Sequence, residues 1–425
     1  MIKILERNNI IILAFIKSLI IGLFFEPKLY PDSQGYIDFT PERSVGYPLF
    51  IMILNKNLKL VIFFQLFLSI ISSYFFSKKI KDFFKFNNSV FYFFFFVLLF
   101  IGIKIGVNIL TGSLCFSCYL LSLYFLIKSL DKDESKSLLF SSILIFFAVL
   151  IRPQLIFATA HLIAISIYLI FKLKSKLLPF LVVLISISTF IIPAKINKTS
   201  NKYFNNTEII LVDFWNQLNI LLLYTSTNIL EKYFEDTNTK KVFIDSLDCV
   251  EKKKLTKFKV IENNQNWIYV LESNSFPVKN CINTTIKKNF SSMTLDEQEQ
   301  LSKNFFFELF KAQVQHDKYE LFMNYINKYS FAFVNLYYFF IFIIFSLILF
   351  FYQIFQSDKR LKFFNVIILS HYVNIFIIGL GAPLLLRYRF YTETIIIILI
   401  LCIILEFFFY SKIKKKSFNN NKLKS

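Results

Sequence analysis

A dense group of charged side chains lies between the first two long apolar stretches of the chain. Glu26, Asp32, Asp38, Glu42 and Arg43 all fall within this connection. A carboxylate held beside an apolar surface can accept the proton of an attacking hydroxyl group, which is general-base chemistry. An arginine beside it can bind two oxygens of a phosphate through its planar fork. The same acids are also compatible with a solvated loop that merely faces water, so residue types alone leave both interpretations open.

Three further arginines lie next to apolar segments. Arg152 lies between two of them, and Arg387 and Arg389 follow another. Charged residues at membrane depth are costly and are commonly functional. These arginines are therefore candidates to stabilise negative charge on a phosphate, although ordinary interfacial snorkelling is an alternative interpretation for Arg387 and Arg389.

The elements that must position these residues are apolar helices. Of the 425 residues, 56% are hydrophobic and 19% are aromatic, which excludes an ordinary soluble domain. A helix needs roughly 20 apolar residues to cross a bilayer, and ten windows reach or approach that length. We predict an all-α polytopic membrane protein with about ten transmembrane helices, in the windows Asn9–Phe25, Leu58–Phe76, Ser89–Ile103, Asn108–Ile127, Leu138–Ile151, Gln154–Phe171, Leu177–Pro193, Ser330–Tyr352, Leu361–Leu380 and Glu393–Tyr410.

The positive charge is concentrated in connections that are predicted to lie on one side of the membrane, and it does not form a pattern typical of nucleic-acid binding. The net charge is +20, and lysines cluster in alternate short connections at 78–85, 128–136, 172–176 and 359–362. Cytoplasmic loops carry such an excess, so both termini are expected in the cytoplasm and the protein in the plasma (inner) membrane. No basic-aromatic groove motif accompanies the charge, so the lipid bilayer, and no nucleic acid, is the expected partner.

This orientation divides the chain into four parts. Residues 1–193 form an N-terminal transmembrane module with an outward loop at 26–57, and residues 194–329 form a small extracytoplasmic (periplasmic) domain. Residues 330–411 supply the C-terminal helices and residues 412–425 a basic tail. Within the outward loop, Gly46–Leu54 is too short to cross the bilayer and is predicted to be an interfacial helix. Cys249 and Cys281 both lie in the outward domain, where either a disulfide or two free thiols is compatible with the sequence.

Four motifs together resemble the GT-C-fold glycosyltransferases. Asp32-Ser33, Tyr36, Arg43 and Gly46-Tyr47-Pro48-Leu49-Phe50 look like the first extracytoplasmic loop of these polytopic enzymes, which include the protein O-mannosyltransferases and the lipid A aminoarabinose transferase. The similar features further along are Leu150-Ile151-Arg152-Pro153-Gln154, the stretch Met293–Tyr325, and Leu386-Arg387-Tyr388. The chain departs from the family where Gly112 follows Leu110-Thr111 and Ser33 follows Asp32, so metal dependence and substrate identity do not carry over.

The resemblance implies a GT-C-like fold and transfer of a sugar from a polyprenyl-phosphate donor to an extracytoplasmic acceptor, which is lipid A, a glycan or a protein. It implies Asp32 as the catalytic base, inversion at the anomeric carbon, and Arg43, Tyr47, Arg152, Arg387 and Arg389 as residues that bind the donor phosphate or substrate. No cofactor or metal ion is indicated. An O-antigen polymerase or ligase is the alternative enzyme, although it would not need the Asp32-to-Phe50 string. A transporter is a less favoured class, since we find no internal hydropathy repeat.

Overall fold

A computed structural model describes residues 2–41, 43–205, 212–263, 265–332, 336–355, 358–381, 391–401 and 404. Within these ranges the chain forms helices and short connections without a named strand. The helices are α1 (Ile2–Phe24), α2 (Ser33–Ile37), α3 (Gly46–Ile53), α4 (Leu58–Phe84), α5 (Asn88–Gly106), α6 (Gly112–Lys132), α7 (Ser135–Ile151), α8 (Thr159–Lys172), α9 (Leu177–Ser188), α10 (Ile192–Asn205), α11 (Val212–Tyr224), α12 (Thr237–Lys252), α13 (Lys257–Glu262), α14 (Trp267–Asn289), α15 (Leu295–Phe331), α16 (Leu336–Phe355), α17 (Lys359–Gly381) and α18 (Tyr391–Leu401), with 3-10 turns at Pro153–Ala158 and Asn228–Tyr233.

Several helices have the length and composition of membrane spans. In the described part of the chain, five stretches qualify, namely α4, α5, α6, Pro153–Lys172 and Lys359–Leu380. The pair α9 and α10 adds a sixth if it is one span bent by 45°. The architecture is therefore that of an all-α integral membrane protein. The count of ten spans stays a prediction.

The first core is built by α4, α6 and α7, which pack closely through small side chains. Ser69 of α4 lies 3.1 Å from both Ser113 and Ser117 of α6, and Ser122 of α6 lies 2.7 Å from Ser141 of α7. Small hydroxyl residues let helices approach and bond across an apolar interface. This close packing fixes the relative positions of the connections at the helix ends.

The connections that are rich in lysine meet at one end of these helices. Asp133 accepts hydrogen bonds from Lys172 at 2.8 Å and Lys359 at 2.7 Å, and Lys79 pairs with Asp131 at 2.5 Å. The loop at 26–57 and Arg152 lie at the other ends of the same helices. These four connections therefore lie at one end of the helical assembly, and the prediction that this end faces the cytoplasm stays a prediction.

A second hydrophobic core lies between α11, α12, α14 and α15. Leu222, Phe243, Ile282 and Phe305 are buried in it, and a disulfide joins Cys249 of α12 to Cys281 of α14 with 5.7 Å between their Cα atoms. We call residues 212–332 the second helical unit. The predicted boundary at Ala194 falls inside α10, which contacts α7 of the first core.

Candidate functional site

Residues 26–57, called loop 1 here, are fixed at their start to the connection between α5 and α6. The Lys28 amide donates to the Val107 carbonyl at 3.1 Å, and the Ile109 amide donates to the Lys28 carbonyl at 3.1 Å. The Ser33 hydroxyl, which is buried, donates to the Ile109 carbonyl at 2.9 Å and accepts from the Tyr30 amide at 2.8 Å. The segment that carries Asp32 is thus held on both sides by backbone contacts.

The later part of loop 1 is held by two asparagines of α10. The Val45 amide donates to Asn197 Oδ1 at 2.8 Å, and Asn201 Nδ2 donates to the Pro41 carbonyl at 2.9 Å. Both asparagine side chains are buried. They lie four residues apart and therefore on one face of the helix, which acts as a brace for the stretch around Arg43.

Tyr47 anchors loop 1 to α4. Its side chain is fully buried, and its hydroxyl accepts a hydrogen bond from Gln65 Nε2 at 3.1 Å. The role of Tyr47 in substrate binding stays a prediction. The helix predicted at Gly46–Leu54 is present as α3, which buries Tyr47 and Ile51 in the first core and exposes Ile53 on the opposite face, and its interfacial position also stays a prediction.

Asp32 and Arg43 form an ion pair at the surface of loop 1. Arg43 Nη2 donates to Asp32 Oδ1 at 2.7 Å, and the Asp32 side chain is 55% exposed. Asp32 Oδ2 makes no hydrogen bond within the described residues. The Arg43 guanidinium also lies 5.0 Å from the centre of the Tyr36 ring, which packs edge-on against Tyr47 at 5.2 Å. The carboxylate is therefore accessible to solvent, with one of its oxygens held by Arg43.

Arg152 lies between α7 and the following 3-10 turn, close to the start of α18. Its Nη1 donates a long hydrogen bond of 3.4 Å to the Tyr391 hydroxyl, and its guanidinium carbon lies 5.8 Å from the centre of that ring. Tyr391 is fully buried. Arg152 is therefore held at the end of α7 by an aromatic side chain of α18.

Buried polar side chains order the helices around Arg152. Gln154 Nε2 donates to Asn374 Oδ1 at 3.2 Å, and Asn374 Nδ2 donates to the Thr392 hydroxyl at 3.0 Å. The same hydroxyl lies 2.8 Å from His371 Nδ1. This network ties the 3-10 turn, α17 and α18 together beside the site. No group of three His, Cys, Asp or Glu side chains that could hold a metal ion occurs among the described residues.

The other predicted site residues lie outside the described ranges. Arg387, Arg389 and the acidic neighbour Glu42 belong to this group. Three residues that position the site were missed at the sequence level. Tyr391 is only two positions beyond Arg389, but this spacing does not predict its contact with Arg152. Asn197 and Asn201 show helical spacing, but this does not predict their bonds to loop 1.

The comparisons with known proteins gave no match. Neither a protein-family model, nor a curated protein, nor a solved structure matches this chain. The side chains described above are therefore the basis for assigning a function.

Proposed function

We propose that the protein is a membrane glycosyltransferase that moves a sugar from a polyprenyl-phosphate donor to an extracytoplasmic acceptor. One observation supports this proposal above the others. An accessible carboxylate, Asp32, is oriented by Arg43 at the end of an apolar helical assembly, and Arg152 follows α7 at the same end, where it bonds to Tyr391. Such a site can receive a phosphate whose hydrocarbon tail stays in the bilayer.

Asp32 is the general base of the proposed reaction. The acceptor hydroxyl gives its proton to Asp32 Oδ2 while its oxygen attacks the anomeric carbon of the donor. A new glycosidic bond forms, the bond between the anomeric carbon and the phosphate oxygen breaks, and the phosphate leaves with the electron pair. The configuration at the anomeric carbon inverts because the displacement is direct.

The arginines have two different roles in the proposed reaction. Arg43 orients the base, since it bonds Asp32 Oδ1 and lies over Tyr36. Arg152 stabilises the charge on the leaving phosphate, with Arg387 and Arg389 as further phosphate ligands. A second carboxylate is not needed, because no covalent glycosyl intermediate forms.

The proposed location is the plasma (inner) membrane, with loop 1 and the second helical unit on the extracytoplasmic side. The Cys249–Cys281 disulfide supports this orientation, because disulfides persist in oxidising compartments. The lysine-rich connections lie at the end of the helices away from loop 1, where the positive-inside rule expects the cytoplasm.

The decisive experiment compares two aspartates of loop 1. Asp32→Asn removes the base but little packing, whereas Asp38→Asn changes a neighbouring exposed carboxylate that accepts from Gln34 Nε2 at 2.7 Å. The full-length protein in liposomes is supplied with a polyprenyl-phosphate sugar and an acceptor, and transfer of radiolabelled sugar is measured. We expect Asp32→Asn to abolish transfer and Asp38→Asn to retain it. Near-normal transfer by Asp32→Asn excludes the assignment.

The same assay separates the alternative enzyme class. An O-antigen polymerase or ligase acts on pyrophosphate-linked oligosaccharides. Transfer only from such a donor, with none from the monophosphate-linked sugar, would replace the proposed function with that class. Uptake of substrate into the liposomes without transfer would indicate a transporter.

A further inference from the structure

The longest helix, α15, is interrupted where it passes α11 and α13. Asp317 has φ −155° and ψ 92°, which is extended rather than helical backbone. Its Oδ1 accepts a hydrogen bond from the Glu320 amide at 2.8 Å, as the N-cap of a helix does. One helix therefore ends and another begins at this point, although the sequence around Asp317 contains neither Gly nor Pro.

A cavity of about 280 Å³ opens at this interruption. Its polar lining is formed by Thr225, Thr227, Gln313, His316, Asp317, Glu320 and Asn324. Its apolar lining includes Phe258, which is 42% exposed. Two carboxylates, two amides, two hydroxyl groups and an imidazole therefore lie beside an accessible aromatic ring.

The lining is held in place by bonds to its own neighbours. Lys257 Nζ donates to Glu320 Oε1 at 2.9 Å and to Asn324 Oδ1 at 2.8 Å, and it lies 5.1 Å from the centre of the Trp267 ring. Gln313 Nε2 donates to the Leu222 carbonyl at 2.6 Å. Preorganised polar groups lose little conformational freedom when a ligand binds.

Charge and size restrict the class of ligand. Asp317 and Glu320 carry two negative charges, and Lys257, which bonds to Glu320, returns one positive charge. His316 also lines the cavity and counts as neutral at pH 7, so the balance disfavours an anionic ligand. Ligand pockets for drug-sized molecules occupy roughly 300–1,000 Å³, so this cavity is suited to a single small ring. The cavity does not have the ligands of a metal site, because the described residues contain no suitable group of three.

We propose that this cavity binds one saccharide residue that is neutral or carries an amine. Sugar hydroxyls donate to the carboxylates of Asp317 and Glu320, and the apolar face of the ring packs on Phe258. Binding here does not depend on the chemistry at loop 1. If the proposed function holds, the cavity contributes to recognition of a glycan acceptor.

The test uses the purified full-length protein in detergent, with binding measured by saturation-transfer difference NMR and calorimetry. The probes are galactose, N-acetylglucosamine and glucosamine, with glucuronate as the anionic comparison. We expect at least one of the first three to bind and glucuronate to bind more weakly. Binding of none of the three, or preferential binding of glucuronate, would overturn the proposal.

Asp317→Asn is the informative variant, because Asn caps a helix about as well as Asp. It therefore removes the charge and one acceptor without removing the cap. We expect roughly tenfold weaker binding of the best probe, and a loss of similar direction for Phe258→Ala. Asp248→Asn, in the same unit but outside the cavity lining, is the matched control and should bind as the wild type does. Unchanged binding by Asp317→Asn would contradict the proposed site.

Failure of this proposal can be distinguished from failure of the proposed transferase. Asp32→Asn should bind the saccharide with wild-type affinity whether or not it transfers sugar. Loss of transfer with retained binding supports both proposals independently. If the wild-type protein transfers sugar but binds none of the saccharide probes, only the cavity proposal fails.

Discussion

Gly46 lies so close to the main chain of Leu150 that no side chain fits between them. A Cβ atom on Gly46 would lie 2.7 Å from the Leu150 carbonyl carbon and 2.7 Å from the Ile151 nitrogen. The start of α3 is therefore fixed against the end of α7, directly before Arg152. This contact sets the position of loop 1 relative to the proposed phosphate site.

Gly46→Ala should disturb that contact. Overpacking of a close approach costs about 1–3 kcal/mol, and we expect lower thermal stability together with a fall of roughly tenfold or more in sugar transfer. Gly112→Ala is the control, since a Cβ there would have no atom within 4 Å. If both variants behave like the wild type in melting and transfer assays, α3 does not set the site.

Arg43→Lys tests whether Arg43 orients Asp32 rather than merely balancing its charge. Lysine keeps the charge but loses the planar guanidinium that lies over Tyr36. We expect transfer to fall by roughly 10- to 100-fold, with a stability change below about 1 kcal/mol because the pair is partly exposed. Lys59→Arg is the control, as Lys59 and Glu26 form a more exposed pair at 3.6 Å. Equal transfer rates for Arg43→Lys and wild type would refute the orienting role.

Asn197→Ala should loosen loop 1 without touching Asp32. It leaves the buried Val45 amide without its acceptor, and a buried unsatisfied amide costs about 1–3 kcal/mol. We expect faster hydrogen exchange of the Val45 amide and reduced transfer. Thr199→Ala changes an exposed side chain of the same helix and should alter neither quantity. Unchanged exchange at Val45 in Asn197→Ala would argue against the brace.

Asp133→Asn should lower stability in a way that depends on pH. Partial burial alone would raise the pKa of Asp133, but hydrogen bonds from Lys172 and Lys359 outweigh it and hold the pKa below its usual value. The stabilisation is therefore complete above the ordinary aspartate pKa of about 3.9 and is lost as the pH falls through the lower folded-state value. At pH 7 we expect the variant to be less stable by about 1 kcal/mol.

Thermal unfolding of Asp133→Asn and wild type between pH 7 and pH 3 checks this expectation. The difference between them should shrink only in the acidic part of the range. Asp82→Asn is the control, because Asp82 is exposed and makes no ion pair within the described residues. A difference that is constant down to pH 3 would show that the ion pairs are not its source.

Removal of the disulfide should destabilise the second helical unit. The bond closes a loop with a sequence separation of 32 residues, for which the chain-entropy model gives roughly 3–4 kcal/mol. We expect Cys249→Ser and reduced wild type to melt at similar, lower temperatures, while Cys118→Ser melts like the oxidised protein. Alkylation of all five cysteines in denatured, unreduced protein would contradict the bond.

The helices themselves were largely predictable, because long apolar windows allow few other structures. The window Leu58–Phe76 lies within α4, but α4 continues to Phe84 through three lysines. Hydropathy indicates which part of a helix is suited to lipid, but it does not indicate where the helix ends. The bend between α9 and α10 was also missed, because the apolar window Leu177–Pro193 ends where the polar residues of α10 begin.

The candidate residues of the site could be selected from the sequence, but their contacts could not. The residue types and their order drew attention to Asp32, Arg43 and Arg152. The ion pair between Asp32 and Arg43, by contrast, depends on how loop 1 folds back on itself. The burial of Tyr47 could not be predicted for the same reason, since its contact with Gln65 of α4 depends on packing and not on any local pattern.

The two asparagines of α10 hydrogen-bond to peptide groups of loop 1, and these two bonds do not involve its side chains. Substitutions at position 41 can therefore accumulate during evolution without loss of its bond to Asn201, provided that the backbone keeps its path, whereas position 45 is restricted because the Val45 side chain is buried. Homologous chains should accordingly vary at position 41, keep a small apolar residue at position 45 and retain amide side chains at 197 and 201. Divergence in this segment would then be greatest at position 41.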